Sequence, residues 1–156
     1  MSALPPFEQV VEDYGVDVWR FAVSQVGPAR ADDVFQETML AALSAYPSLR
    51  DPGAVRSWLI RIAARKAVDA FRADARVPVP VEEAETGTVP QPEPPDDDLW
   101  MRVRALPGKQ REAIGLRFVV DLDYVAIGAA MDTSPEAARR NVFEGLKALR
   151  ANLART

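Results

Sequence analysis

The stretch from residue 124 to residue 150 carries side chains of the types that recognise nucleic acid. Arg and Lys can contact phosphates or guanine edges, Asn can contact adenine edges, and Glu can accept from a cytosine amino group. The candidate residues are Ser134, Glu136, Arg139, Arg140, Asn141, Glu144 and Lys147. A helical hairpin with a basic face that binds no DNA is the open alternative at this point.

Two helices joined by a tight turn must position these side chains. Asp132 tolerates the left-handed conformation that ends a helix. Ser134 can cap the next helix, and Pro135 suits its first position. The second helix then has one apolar face, formed by Ala138, Val142, Leu146 and Leu149. The pattern predicts a helix-turn-helix, a motif that places its second helix in a DNA major groove.

A second basic helix is predicted over residues 54–75. Its buried stripe comprises Val55, Trp58, Leu59, Ile62 and Ala63. Arg61 and Arg65 are four residues apart, so they project from the same side of the helix. Like charges at this spacing cost a little stability, which a nearby anion would offset.

The net charge of −4 divides unevenly along the chain. Residues 1–49 carry −5 and residues 77–98 carry −7, whereas residues 50–76 and 99–156 carry +4 each. Local charge decides where phosphates bind. The two basic blocks therefore remain candidates for contact with nucleic acid.

The composition excludes several classes of site. The chain has no cysteine and no histidine, which removes thiolate metal sites, disulfides and the commonest general base. No run of about 18 apolar residues predicts a membrane span. The N-terminus has no signal-peptide pattern. We expect a cytoplasmic protein that is not an enzyme and needs no cofactor or metal.

Helical periodicity recurs through the chain, and the predicted fold class is all-α. A three-helix domain (residues 1–76, helices at 7–26, 31–45 and 54–75) precedes a four-helix domain (residues 99–156). An acidic, proline-rich linker at 77–98 is predicted to be flexible. The second helix is predicted to bury Val34, Phe35, Thr38, Met39, Ala42 and Leu43. Residues 46–53 are predicted to be an irregular loop.

The C-terminal domain is predicted to open with helices at 99–106 and 109–119. The second of these has an apolar side that includes Ala113, Ile114 and residues 116–118. Arg111 is predicted to lie off that side.

Several motifs give the chain a resemblance to the extracytoplasmic-function (ECF) sigma factors of the sigma-70 family. ADDVFQETML at 31–40 is similar to the family's AEDLVQETFL, and RSWLIRIA at 56–63 is similar to RAWLYRIA. AVDAFR at 67–72 resembles LALDALR, and ALPGKQRE at 105–112 resembles ALPPRQRE. The N-terminal domain thus resembles conserved region 2, and the C-terminal domain resembles region 4.

The resemblance implies a protein that binds RNA polymerase core enzyme and directs it to promoters. It implies core binding by Asp33, Gln36, Glu37 and Met39, against the β′ clamp helices. It implies contact with the −10 element by Ser48, Arg50, Asp51, Arg56, Trp58, Arg61 and Arg65. It implies contact with the −35 element by the helix-turn-helix residues named above. Its other implied partners are the polymerase β flap and an anti-sigma factor, with no membrane insertion.

The chain also departs from the family pattern. Asp132 stands where the family has the turn glycine, and Glu144 would repel phosphate. Gly145 costs about 1 kcal/mol of helix stability relative to Ala. A sigma-like decoy that occupies an anti-sigma factor, or a simple helix-turn-helix regulator, are therefore alternatives. Without polymerase we expect the two domains to move independently, with direct packing of one on the other as the alternative.

Overall fold

The structure of the protein, a computed structural model, describes residues 4–76 and 97–154. Within these ranges there are α-helices and two short 3₁₀ turns, and no strand. The helices are α1 (Phe7–Val26), α2 (Pro28–Ala45), α3 (Val55–Arg76), α4 (Asp97–Arg104), α5 (Gly108–Phe118), α6 (Tyr124–Met131) and α7 (Pro135–Ala154). The predicted all-α fold is confirmed. The predicted linker lies outside the described residues, except that α4 begins within its last two positions.

The N-terminal domain is a bundle in which α1, α2 and α3 pack against one another. Val10, Val18 and Phe21 of α1 are buried, as their helical spacing predicts. Gly27 ends α1 with a positive φ of 86°, and Pro28 begins α2 directly after it. Helix α2 therefore starts three residues before the predicted position, because proline fits the first turn of a helix.

The C-terminal domain places α5 and α6 against α7. Ala138, Val142 and Leu149 of α7 are buried, and Leu146 is partly buried against the same core. The predicted apolar face of this helix is thus confirmed. None of the helices in residues 4–76 and 97–154 is long and apolar enough to cross a membrane.

The two domains pack directly on each other. This is the alternative named above to the expectation that they move independently. Helix α1 contacts α4 and α5, and α3 contacts α6. The buried Gln25 amide donates to the backbone oxygen of Arg111 at 3.0 Å. Gly115 of α5 permits this close approach, because a Cβ there would lie 2.4 Å from Gln25 Nε2. The guanidinium of Arg104 donates to the Val23 carbonyl at 3.2 Å.

Three sequence predictions about burial are wrong. Leu43, predicted to be inward, is 54% exposed on α2. Phe118 is exposed at the end of α5, whereas Arg111, predicted to lie off the apolar side, is only 5% exposed. The Arg111 guanidinium carbon lies 3.4 Å from the ring centroid of Phe71 on α3. The N-terminal domain therefore buries Arg111, although the apolar pattern of α5 predicts that this side chain is exposed.

Residues 46–53 contain more regular structure than predicted. Tyr46–Ser48 and Pro52–Ala54 form 3₁₀ turns, each with a proline at its start. The Asp51 carboxylate accepts from the Gly53 N–H at 2.9 Å and caps the second turn. Proline fixes the required φ and does not need a donor partner in a first turn, so both turns are compatible with this sequence.

Candidate nucleic-acid interface

The turn before α7 is built as the sequence predicts. Asp132 has φ 57° and ψ 45°, the left-handed conformation that ends α6. The Ser134 hydroxyl accepts from the Ala137 N–H at 3.0 Å and caps α7. The turn also needs Gly128, because a Cβ there would lie 2.7 Å from the Thr133 carbonyl oxygen. These contacts fix the angle at which α7 leaves the domain.

Helix α7 presents most of the predicted −35 residues to solvent. Ser134, Glu136, Arg139, Arg140, Glu144 and Lys147 are exposed, and Asn141 is half-buried. The guanidinium carbon of Arg139 lies 5.0 Å from the ring centroid of Phe143, which is also exposed. Helix α7 therefore has a polar, largely basic outer face with one aromatic side chain in it.

Gly145 has a packing role that its helix propensity does not show. It is buried, and a Cβ added there would lie 2.9 Å from Cγ1 of Ile114. The glycine lets α7 approach α5 closely. Glycine at position 145 lowers the helix propensity of α7, but the packing of α7 against α5 requires it.

Of the predicted −10 arginines of α3, Arg61 and Arg65 are four residues apart and share one side of the helix, whereas Arg56 projects from a different side. Arg56 donates to the Val120 carbonyl oxygen at 2.5 Å and lies 3.5 Å from Asp17. Arg61 and Arg65 each pair with Asp132, at 2.7 Å. The anion that would offset the repulsion between Arg61 and Arg65 is thus the carboxylate of Asp132.

The remaining predicted −10 residues surround the two 3₁₀ turns. Ser48, Arg50 and Asp51 are exposed. Trp58 is half-buried, with its ring centroid 6.0 Å from that of Tyr46. The Tyr46 hydroxyl in turn donates to the Pro5 carbonyl. Trp58 is therefore held in place by packing rather than projecting freely.

The predicted polymerase-binding residues lie on α2, which packs against α1 and α3. Asp33, Gln36 and Glu37 are exposed, and Met39 is half-buried. Leu40 is 67% exposed on the same helix, and the exposed Leu43 follows it one turn later. Sequence reasoning omitted both leucines from the site. Large apolar side chains left in solvent beside polar ones are typical of a protein-binding surface.

A cavity of about 690 Å³ lies between the domains and brings residues of both predicted DNA sites together. Arg65 lines it from α3, and Arg140 and Asn141 line it from α7. Glu112 of α5 also lines it. Burial raises the pKa of Glu112 to about 7, with Arg111 opposing that rise and Asp132 adding to it. Arg65 of the predicted −10 set thus shares a polar cleft with Arg140 and Asn141 of the predicted −35 set.

Each of the two domains matches a known protein family. The family described as Sigma-70 region 2 matches residues 10–77, and the one described as Sigma-70, region 4 matches residues 96–149. The ECF RNA polymerase sigma factor SigD of Mycobacterium tuberculosis is 33% identical over 157 residues. That alignment covers 91% of this chain and 74% of SigD.

The chain belongs to the ECF sigma factors of the sigma-70 family. Its function is that of an RNA polymerase sigma factor, a protein that acts with RNA polymerase on promoter DNA. The names region 2 and region 4 therefore apply to the two domains.

Two solved structures resemble nearly the whole chain. CnrH, in complex with the cytosolic domain of CnrY, is 26% identical with a TM-score of 0.69 and covers 95% of this chain and 87% of its own. RpoE of Bartonella quintana, in complex with the anti-sigma factor NepR, has a TM-score of 0.76 at 20% identity. That match covers 95% of this chain and 96% of RpoE, and it supports the fold.

Proposed function

We propose that this sigma factor divides its work between three surfaces. The exposed face of α2, with Asp33, Gln36, Glu37 and Met39, binds the polymerase core. Helix α3, with Arg56, Arg61 and Arg65, together with Ser48, Arg50, Asp51 and Trp58, engages the −10 element. Helix α7, with Ser134, Glu136, Arg139, Arg140, Asn141, Glu144 and Lys147, enters the major groove at the −35 element.

The observation that carries the proposal is that the three surfaces lie on three different helices and differ in their chemistry. The α2 face mixes exposed carboxylates with exposed leucines, which suits a protein partner. Arg61 and Arg65 of α3 lie one turn apart and offer adjacent cations, which suits the phosphates of an opened strand. Helix α7 carries arginines and an asparagine on its outer face, which suits base edges and phosphates.

The decisive experiment is run-off transcription with purified core polymerase on a library of genomic fragments, with and without this protein. We expect discrete new start sites, each preceded by shared −10 and −35 sequences. A demonstrated core complex that starts no transcript at any fragment would instead support a sigma-like decoy. A palindromic footprint made without polymerase would support a simple helix-turn-helix regulator.

Paired variants test the division of labour. Arg139→Ala combined with Arg140→Ala should weaken promoter binding and leave capture of core polymerase intact. Glu37→Lys should weaken capture of core, because it reverses a charge in the α2 face. If both variants lost both activities equally, the assignment of the surfaces would be wrong.

The same reasoning leads to three further expectations. The protein binds and redirects an enzyme and is not an enzyme itself. It works in the cytoplasm, where polymerase and promoters are found. An anti-sigma factor is a partner of this protein, by analogy with CnrH, whose solved complex contains a second protein.

A further inference from the structure

One carboxylate joins the two domains through two arginines. Oδ1 of Asp132 lies 2.7 Å from Nη2 of Arg61, and Oδ2 lies 2.7 Å from Nη2 of Arg65. Asp132 ends α6 in region 4, whereas both arginines lie on α3 in region 2. The hydrogen bond from Arg65, aided by the charge of Arg61, holds the pKa of Asp132 below its ordinary value. The carboxylate therefore stays ionised at neutral pH.

The turn itself does not require this carboxylate. Position 132 adopts a left-handed conformation, which glycine accepts without strain and aspartate or asparagine tolerates. Oδ1 and Oδ2 of Asp132 instead accept hydrogen bonds from Arg61 and Arg65 of the other domain. The side chain at this position is therefore available for a contact between domains.

The contact lies where the proposed −10 surface should meet DNA. Arg56 of the same helix is also occupied, by the Val120 carbonyl oxygen. A carboxylate that pairs with two neighbouring arginines resembles a DNA phosphate in charge and in its acceptor oxygens. In this closed arrangement, three arginines of α3 are bound to the protein itself.

We propose that Asp132 is an intramolecular phosphate mimic that latches region 4 onto region 2 and masks the α3 arginines until the protein opens. The masking part of this inference rests on the proposed −10 role of Arg61 and Arg65. The latch itself rests only on the contacts between Asp132 and the two arginines. Opening the domains releases the arginines from Asp132, and DNA phosphates can then bind them in its place.

The ion pairs of the latch are weak because they are exposed to solvent. Asp132 and both arginines are about half exposed to solvent. Exposed ion pairs contribute little and are screened by salt. We therefore expect its removal to shift the balance between closed and open protein by only a few-fold, with the packed contacts of α1 on α5 supplying the rest.

The test compares Asp132→Asn with Asp121→Asn in the full chain. Asparagine keeps the size and the tolerance of the left-handed conformation but removes the charge. Asp121 is a matched control, because it is exposed, has φ 62° and makes no ion pair with another described residue. Since the chain has no cysteine, Glu8→Cys and Arg150→Cys allow a dye to be placed on each domain for energy transfer.

We expect Asp132→Asn to lower energy transfer and to tighten binding of fluorescent single-stranded oligothymidylate by a few-fold at low salt. Asp121→Asn should change energy transfer little. The difference between wild type and Asp132→Asn should shrink as salt is raised, because screening removes the ion pairs. Energy transfer that is the same in wild type and Asp132→Asn at low salt would overturn the latch.

Gly115→Val supplies a second route to the open form without changing any charge. Its side chain would collide with Gln25, since even a Cβ would come within 2.4 Å of Nε2. We expect this variant to lower energy transfer and tighten oligothymidylate binding as well. If both variants opened the protein and neither tightened DNA binding, the masking claim would be overturned. That result would count against the −10 role of the arginines, whereas unchanged energy transfer counts against the latch.

Discussion

Glu112 gives the sharpest test of the packing between the domains. It lies in the interdomain cavity and is half-buried. Burial raises its pKa from 4.5 to about 7, while Arg111 and Arg72 oppose the rise and Asp132 adds to it. The perturbation is Glu112→Gln, which keeps the shape of the side chain and removes its titration.

The sign of the effect follows from proton binding. Between about pH 4.5 and pH 7 the folded protein holds a proton on Glu112 that the unfolded chain has released. The free energy of unfolding of the wild type therefore falls as the pH rises through this window and stays lower above it. At about 1.4 kcal/mol per pH unit, the full effect is about 3 kcal/mol. The attraction between Arg111 and the ionised carboxylate is already contained in this pKa, so the expected gain in Glu112→Gln at alkaline pH is of the same size.

Urea denaturation followed by tryptophan fluorescence, from acidic to alkaline pH, measures the effect. We expect Glu112→Gln to match the wild type at the acidic end and to be more stable at the alkaline end. Glu12→Gln is the control, because Glu12 is exposed on α1. Its pH profile should follow the wild type. A Glu112→Gln profile parallel to the wild type throughout would refute the argument that burial between the domains controls this carboxyl.

Three stability predictions concern single positions and are checked by the same urea measurements. Gly128→Ala should destabilise the protein by about 1–3 kcal/mol, because its Cβ would meet the rigid backbone oxygen of Thr133. Gly145→Ala should not raise the free energy of unfolding by the roughly 1 kcal/mol expected from helix propensity, because Ile114 occupies the space that the new methyl group needs. A clear rise in stability would contradict this. Leu59→Ala should cost about 2–5 kcal/mol, since Leu59 is fully buried; a loss below about 1 kcal/mol would contradict its core position.

The sequence by itself determined the presence of the helices and the apolar faces of α1 and α7. Val10, Val18 and Phe21 recur with helical spacing, and they are buried. Asp132 and Ser134 carry the turn chemistry of a helix-turn-helix, and both act as predicted. Local spacing and local turn geometry suffice for these features, because they depend on residues a few positions apart.

Local sequence patterns predicted the exposure of the site residues only in part. The α7 side chains are exposed because the opposite face of the helix is apolar, which the sequence shows. The exposed leucines of α2 were missed because Leu43 fits the apolar stripe by spacing, while the structure leaves it outside. The sequence of α2 shows the full width of its apolar stripe. It does not show how much of that stripe the neighbouring helices cover.

Tertiary structure alone decided how the two domains meet. Ile60 and Ala64 of α3 are fully buried although they lie outside the predicted stripe, because α3 packs against α1, α2 and α6. Arg111 is buried because Phe71 of the other domain covers it. The pairing of Asp132 with Arg61 and Arg65 spans 71 and 67 residues of sequence. Helical periodicity reports only that a face is apolar, whereas these contacts depend on which distant element arrives against it.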